Sequence, residues 1–252
     1  MIFNNKFRLI ISQNLSSNDN TNIDKALFKA FENGSLPILR LYSWQKSVTF
    51  GAGQNPSDYE NLLKEYKNNF SKRITGGGVL FHGHDISYSL VLPSTFIDNR
   101  SVKETYELIC SFILEFYSNL GLKASFAKDI KSIVLSKSPF CQVGFEAYDI
   151  IVNGRKIGGN AQKRAKNVIF QHGSIPIKSI KNDEKYGASL EDFSINLDFD
   201  EAINKLKEAF EKTFNAQLLE SQLNENELNI YNELNIYNEL NIYNELNIYN
   251  EL

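Results

Sequence analysis

The chain has 252 residues and 28.8 kDa, room for one large domain or two small ones, and its 42% apolar content excludes a wholly disordered polymer. Thirty acidic against 27 basic residues leave a net charge of -3, which excludes a global basic field for nucleic acid or an anionic membrane and leaves space only for a local basic patch. Two cysteines, Cys110 and Cys141, cannot build a disulfide framework, no run approaches a membrane span, and the opening residues lack a signal-peptide pattern, so the expected compartment is cytoplasmic.

Along the chain, Ile23, Ala26, Leu27, Ala30 and Phe31 recur at helical spacing, with Gly34 just past the end where a C-terminal cap belongs. Ile38 to Tyr42 and Ser47 to Phe50 read as short strands, the second running into Gly51-Ala52-Gly53. Ile86, Tyr88, Leu90 and Leu92 alternate with polar or small neighbours up to Pro93, which predicts a half-buried strand. Val102, Ile109, Ile113, Phe116 and Leu120 line one side of a long helix that Gly121 stops. Tyr148 to Val152, then Asn153-Gly154, then Arg155-Lys156-Ile157 reads as a hairpin, because Asn-Gly supplies the two positive φ angles of a type I′ turn. Ile203, Leu206, Phe210 and Phe214 supply a last amphipathic helix. Strand runs interrupted by separate helices predict an α+β fold with a mixed, mainly antiparallel sheet.

From Asn226 the hexapeptide Asn-Glu-Leu-Asn-Ile-Tyr repeats four times and breaks off at Asn-Glu-Leu. A six-residue period suits strand alternation and matches neither 3.6 nor 3.5. The expected division is therefore a domain over 1–225 and an irregular tail over 226–252 that lies outside the fold.

Two glycine-rich segments carry the chemistry. Three adjacent glycines in Arg73-Ile74-Thr75-Gly76-Gly77-Gly78-Val79-Leu80-Phe81-His82 are costly in conformational entropy unless a backbone must approach something. Such a loop accepts a phosphate, a carboxylate or the flank of an acyl chain, and on spacing alone it reads equally as a plain tight turn. His82, His84, Asp85 and the distant His172 have no zinc spacing, so no metal is expected. The second segment is Gly154-Arg155-Lys156-Ile157-Gly158-Gly159-Asn160-Ala161-Gln162-Lys163-Arg164, followed by Phe170-Gln171-His172-Gly173-Ser174-Ile175.

Taken together, and with Leu39-Arg40-Leu41-Tyr42-Ser43-Trp44 and Val48-Thr49-Phe50-Gly51-Ala52-Gly53-Gln54 upstream, these motifs resemble the lipoate ligase and octanoyltransferase branch of the biotin/lipoate protein ligase superfamily, over about Ile23 to Ile177. The resemblance implies a groove in which the glycine-rich segments hold a lipoyl or octanoyl chain. It assigns Arg73, Thr75, Gly76, Gly77 and Gly78 to the acyl or acyl-adenylate pocket, with Gly158, Gly159, Asn160 and Ala161 as the small-residue run beside it. His82, His172 and Gly173 join them as substrate-binding residues. Lys156 matches the family lysine, whose charge suits negative charge developing on oxygen.

The activity turns on Cys141. By residue type alone it reads as a small core side chain, as Cys110 does on the apolar side of its helix. Its place before Tyr148-Asp149 is similar to that of the nucleophilic cysteine in octanoyltransferases, although those carry an aromatic where Gln142 stands. The resemblance thus implies transfer of an octanoyl group from acyl carrier protein through a Cys141 thioester, with Lys156 favouring the thiolate, to a lysine of a lipoyl-domain protein such as a 2-oxoacid dehydrogenase E2 or the glycine-cleavage H protein. That reaction needs no cofactor. The alternative is a lipoate-protein ligase that uses ATP and magnesium and acts through lipoyl-adenylate. The roughly 75 residues after Ile177 leave no room for the accessory domain that many ligases carry, which favours the transferase.

Overall fold

The computed structural model describes residues 5–97, 100–180 and 187–250. In chain order the elements are β1 (Lys6–Leu15), α1 (Ser17–Ala30), β2 (Ile38–Trp44), β3 (Ser47–Phe50), α2 (Glu60–Glu65), β4 (Phe70–Lys72), β5 (Leu80–His82), β6 (Asp85–Pro93), α3 (Val102–Asn119), β7 (Ala124–Phe126), β8 (Ile150–Val152), β9 (Arg155–Gly158), β10 (Asn160–Arg164), β11 (Val168–Pro176), α4 (Phe199–Phe214), β12 (Gln217–Glu220) and α5 (Glu225–Asn250). Among them β10-β11-β6-β2-β1-β12 form a six-stranded sheet, while β4-β3-β5 and β7-β8-β9 form small sheets. In the large sheet β1 runs parallel to β2 and β12 and the other pairs are antiparallel, the α+β arrangement expected from sequence.

Local signals explain the elements. Ser16 caps α1 by accepting from the Asp19 amide, and Ser101 with Glu104 forms a capping box at α3. Asn153 and Gly154 take φ of 48° and 76°, the turn that their identities predict between β8 and β9. One face of the large sheet packs Leu41, Tyr88 and Leu90 against Ile109, Phe112 and Phe116 of α3 and Leu206 and Phe210 of α4. The other packs Ile10, Ile38, Val91 and Phe170 against Ile23 and Leu27 of α1. With both faces covered, β6 is buried from Asp85 to Leu92 rather than on one face, and its small polar positions are satisfied internally: Ser89 donates to Asp24 and Ser87 accepts from the Trp44 indole.

The repeat departs most from expectation, since Glu225–Asn250 is helical and the start of α5 lies against α1. Six residues turn a helix by about 240° beyond a full turn, so successive repeats present different faces and no single apolar stripe marks the helix in the sequence. Specific contacts hold it instead. Glu227, 2% exposed, pairs with Arg8 at 2.5 Å, Tyr231 donates to Asp19 at 2.7 Å, and Asn22 donates to Asn235 at 2.7 Å. Glu227, Tyr231 and Asn235, all within the repeat, thus contact β1 and α1. Deleting 226–252 is expected to lower unfolding free energy by about 2–3 kcal/mol, the sum of these polar contacts, as read by urea denaturation. An unchanged midpoint would show the contacts to be dispensable.

Candidate active site

The glycine-rich turn between β4 and β5 is laid directly on the segment that carries Cys141. Val79 N–H donates to Pro139 O and Cys141 N–H donates to Val79 O, both at 2.7 Å. At Gly78 a Cβ would sit 2.5 Å from the Pro139 carbonyl oxygen, so the close approach itself demands glycine. Gly77 has φ of 104°, and a Cβ there would lie 3.4 Å from Cys141 Sγ and 3.3 Å from Arg73 Nη2. The sulfur and the guanidinium therefore flank the same bare backbone position. Cys141 is a free, half-buried thiol.

Arg73 is 6% exposed and fixed from behind. Its Nη1 donates to Thr49 O at 2.9 Å and to Thr49 Oγ1 at 2.7 Å, and its Nη2 donates to Gly78 O at 2.7 Å. Thr49 Oγ1 lies 2.8 Å from His82 Nε2, and His82 Nδ1 lies 3.0 Å from Asp85 Oδ2. The His82 ring stacks on Trp44 with centroids 3.8 Å apart. Burial pushes the Asp85 carboxyl up, but His82, His84 and the Ser174 hydroxyl outweigh it and hold it at about 2. A buried chain Asp85–His82–Thr49–Arg73 thus holds the cation nearest Gly77.

Lys156 comes from the other side, on β9. Its Nζ donates to Asp149 Oδ2 at 2.5 Å, to Cys141 O at 2.6 Å and to Gly144 O at 3.3 Å. Asp149 Oδ2 also accepts from Glu146 N at 2.6 Å, and burial raises the Asp149 carboxyl against the pull of Lys156. The ammonium meets Cys141 through its carbonyl oxygen, tying the cysteine segment to the hairpin.

Around these groups opens a cavity of about 230 Å³. Of the residues expected from sequence, Arg73, Gly76, Gly77, Gly78, His82, Cys141, Lys156, Gly159, Asn160, Ala161, His172 and Gly173 line it. Thr75 and Gly158 do not. Thr75 is buried with its hydroxyl 2.6 Å from His172 Nε2, and Gly158 packs under the Ser174 carbonyl. Trp44, Leu80, Tyr106, Phe140 and Val143 give the walls an apolar share suited to a hydrocarbon chain. Asn160 is aimed by Tyr88, which donates to its Oδ1 at 2.7 Å, and by its own Nδ2, which donates to Tyr148 O at 3.2 Å.

The pattern of the lipoyl protein ligase A/B catalytic domain matches residues 16–223. The chain belongs to that family. Its relatives include the octanoyltransferase LipM of Anoxybacillus flavithermus, 32% identical over 88% of this chain and 91% of the relative, and that of Bacillus subtilis, 31% identical over the same shares. Among solved structures, lipoate-protein ligase A bound with ATP has a TM-score of 0.77 at 22% identity, covering 91% of this chain and 94% of the other. A bipartite lipoate protein ligase from Thermoplasma acidophilum, solved in a study that includes its E2 lipoyl domain, has a TM-score of 0.72 at 20% identity and covers 91% of each chain. At these identities the two structures establish the fold.

Within this lipoyl protein ligase A/B domain, several site residues escaped the motifs. Asp149 served only as a marker for the cysteine, although a carboxylate beside a family lysine is a signal that could have named it. Thr49 stood inside a motif without a role of its own, and Tyr106, a helix residue stacked on Tyr148 at 5.1 Å, carries no such signal. Among the described residues no helix is long and apolar enough to cross a membrane.

The site also makes this domain acid-sensitive. Burial, with Arg73 and His82 adding to it, pushes His172 down to about 3, and burial lowers His84 as well. Unfolded histidine takes up a proton near pH 6.5, so between there and about pH 3 the unfolded state binds more protons and stability falls as pH falls. Asp85 extends the same trend downward toward pH 2, whereas Asp149, raised in the fold, opposes it. His172 alone contributes up to about 1.4 kcal/mol per pH unit. Urea denaturation from pH 7 to pH 4 should give a shallower decline in His172→Gln than in the parent; parallel declines would refute this.

Proposed function

We propose that this chain is an octanoyltransferase that takes an octanoyl group from acyl carrier protein onto Cys141 and passes it to a specific lysine of a lipoyl-domain protein. The observation that carries the reading is the Cys141 sulfur on the wall of an acyl-sized cavity, across Gly77 from a buried, fixed guanidinium. Relatives at 31–32% identity over most of both chains bear the name octanoyltransferase, which supports the same reading.

In the first step the Cys141 thiol gives up its proton, its sulfur attacks the carbonyl carbon of the carrier thioester, and the carrier sulfur leaves as a thiol bearing the proton that Cys141 lost. One thioester replaces another, so the exchange is nearly isoenergetic and needs no ATP. The Arg73 guanidinium flanks Gly77 together with the sulfur, so its charge supports the negative charge that builds during the exchange. In the second step the neutral amine of the acceptor lysine attacks the acyl-enzyme, an amide forms, and the Cys141 thiol is restored as the amine loses its proton. Lys156 and Asp149 hold the cysteine segment in place through both steps. The acceptors are lipoyl domains of the 2-oxoacid dehydrogenase E2 and glycine-cleavage H type. We place the reaction in the cytoplasm, where thiols such as Cys110 and Cys141 stay reduced.

The test is to incubate the protein with octanoyl carrier protein and weigh it intact. An octanoyl adduct that hydroxylamine removes, and that then moves to a lipoyl domain without ATP, is the expected result. Magnesium-dependent pyrophosphate release with lipoate, and no adduct, would replace this reading with that of a ligase.

A further inference from the structure

We propose that the basic, partly apolar mouth of the cavity is the docking surface for the acidic carrier protein that brings the acyl thioester; this rests on the octanoyltransferase reading and adds where its donor binds. Charge is distributed unevenly along the chain. Residues 121–180 hold ten lysines and arginines against three carboxylates, a surplus of seven basic groups in a chain whose net charge is -3. The segment is also the one that walls the cavity.

Some of these charges are neutralised within the fold. Lys156 is buried on Asp149, Lys128 pairs with Glu107 and Asp129, and Arg155 faces Asp192 at 3.6 Å. Lys131, Lys137, Lys163, Arg164 and Lys166 are exposed and form no ion pair among the described residues. Lys137 and Arg164 stand beside residues that line the cavity, Arg164 donating to Gln162 Oε1 at 2.7 Å, while the Lys163 ammonium lies 5.7 Å from the Phe28 ring on α1. Lys137 stands between the lining residues Ser136 and Ser138, while Lys163 and Arg164 follow the lining residue Gln162 along β10, the edge strand of the large sheet. Glu146 is the exposed carboxylate that also lines the cavity, and it leaves the mouth with a clear positive excess.

A second observation points to a protein rather than to counterions. Val134 and Leu135 are 81% and 50% exposed, adjacent to one another and to Ser136 at the cavity. Single exposed apolar residues are ordinary, but an apolar pair set between Lys131 and Lys137 has the make-up of an interface core with a charged rim. The same segment continues into Cys141, four residues beyond Lys137, so a carrier seated there brings its thioester to the sulfur.

The experiment compares two donors in the full-length protein: octanoyl carrier protein and a small, uncharged octanoyl thioester such as octanoyl-pantetheine. One variant combines Lys137→Glu, Lys163→Glu, Arg164→Glu and Lys166→Glu, and a second combines Val134→Ser and Leu135→Ser. In the charge variant, acylation by the carrier protein is expected to slow on the order of 10–100-fold in kcat/KM, with acylation by the small thioester unchanged. Raising the ionic strength should slow the parent with the carrier and leave the small donor unaffected. The apolar variant should raise KM for the carrier alone. Equal rates for parent and variants with the carrier overturn the proposal, as does an equal loss with both donors. Normal acylation with slowed transfer to a lipoyl domain would assign the surface to the acceptor and overturn it too. If the parent is acylated by neither donor, the octanoyltransferase reading itself fails.

Discussion

Cys141→Ser is expected to lower octanoyl transfer by about 10³-fold or more while the protein stays folded. A serine hydroxyl is almost never ionised near neutral pH, so the substitution removes the nucleophile and little else. The backbone contacts that seat residue 141, its N–H on Val79 O and its carbonyl on Lys156 Nζ, do not involve the side chain. Single-turnover acylation followed by intact mass should show no adduct in the variant, with the melting temperature within a few degrees of the parent. Cys110 supplies the internal control. It is fully buried against Gln171, and burial pushes its thiol up to about 12, so Cys110→Ala should retain the adduct. Transfer at the parental rate in Cys141→Ser would remove covalent catalysis from the account.

The glycine-rich loop was legible because two of its glycines answer demands that other residues meet poorly: Gly78, where a Cβ would sit 2.5 Å from the Pro139 carbonyl oxygen, and Gly77, at φ of 104°. The Asn153-Gly154 turn and the α3 helix were legible for similar local reasons. What stayed hidden depends on partners distant in sequence. The second buried face of β6 exists because α1 lies across it, and alternation within β6 carries no trace of α1. The helix at the repeat is specified by Arg8, Asp19 and Asn22, more than 200 residues upstream. Lys156 was expected beside the sulfur as the group that favours the thiolate. Its reach was foreseeable, but not that Asp149 and two carbonyls would hold the ammonium, leaving Arg73 as the cation across Gly77.

That division of roles makes Lys156→Met the second large effect, and one with two separable parts. The lysine is 7% exposed and Asp149 4%, so removing the ammonium strands a buried carboxylate, at a cost of about 3–5 kcal/mol in urea denaturation. It also frees the carbonyls of Cys141 and Gly144, and with the nucleophile no longer held in place transfer should fall about 10²–10³-fold. Adding Asp149→Asn to Lys156→Met removes the stranded charge while an amide oxygen can still accept from Glu146 N–H, so most of the stability should return. Transfer should not, because the tether to Cys141 is still absent. The pH dependence separates the parts further. Without Lys156 the Asp149 carboxyl is held higher still in the folded state than in the unfolded one, so its protonated form favours folding, and that contribution is lost as pH rises through the folded value. The stability deficit of Lys156→Met should accordingly shrink on acidification, and in the double variant it should not depend on pH in this way. Recovery of activity together with stability in the double variant would mean that Lys156 serves only to neutralise Asp149.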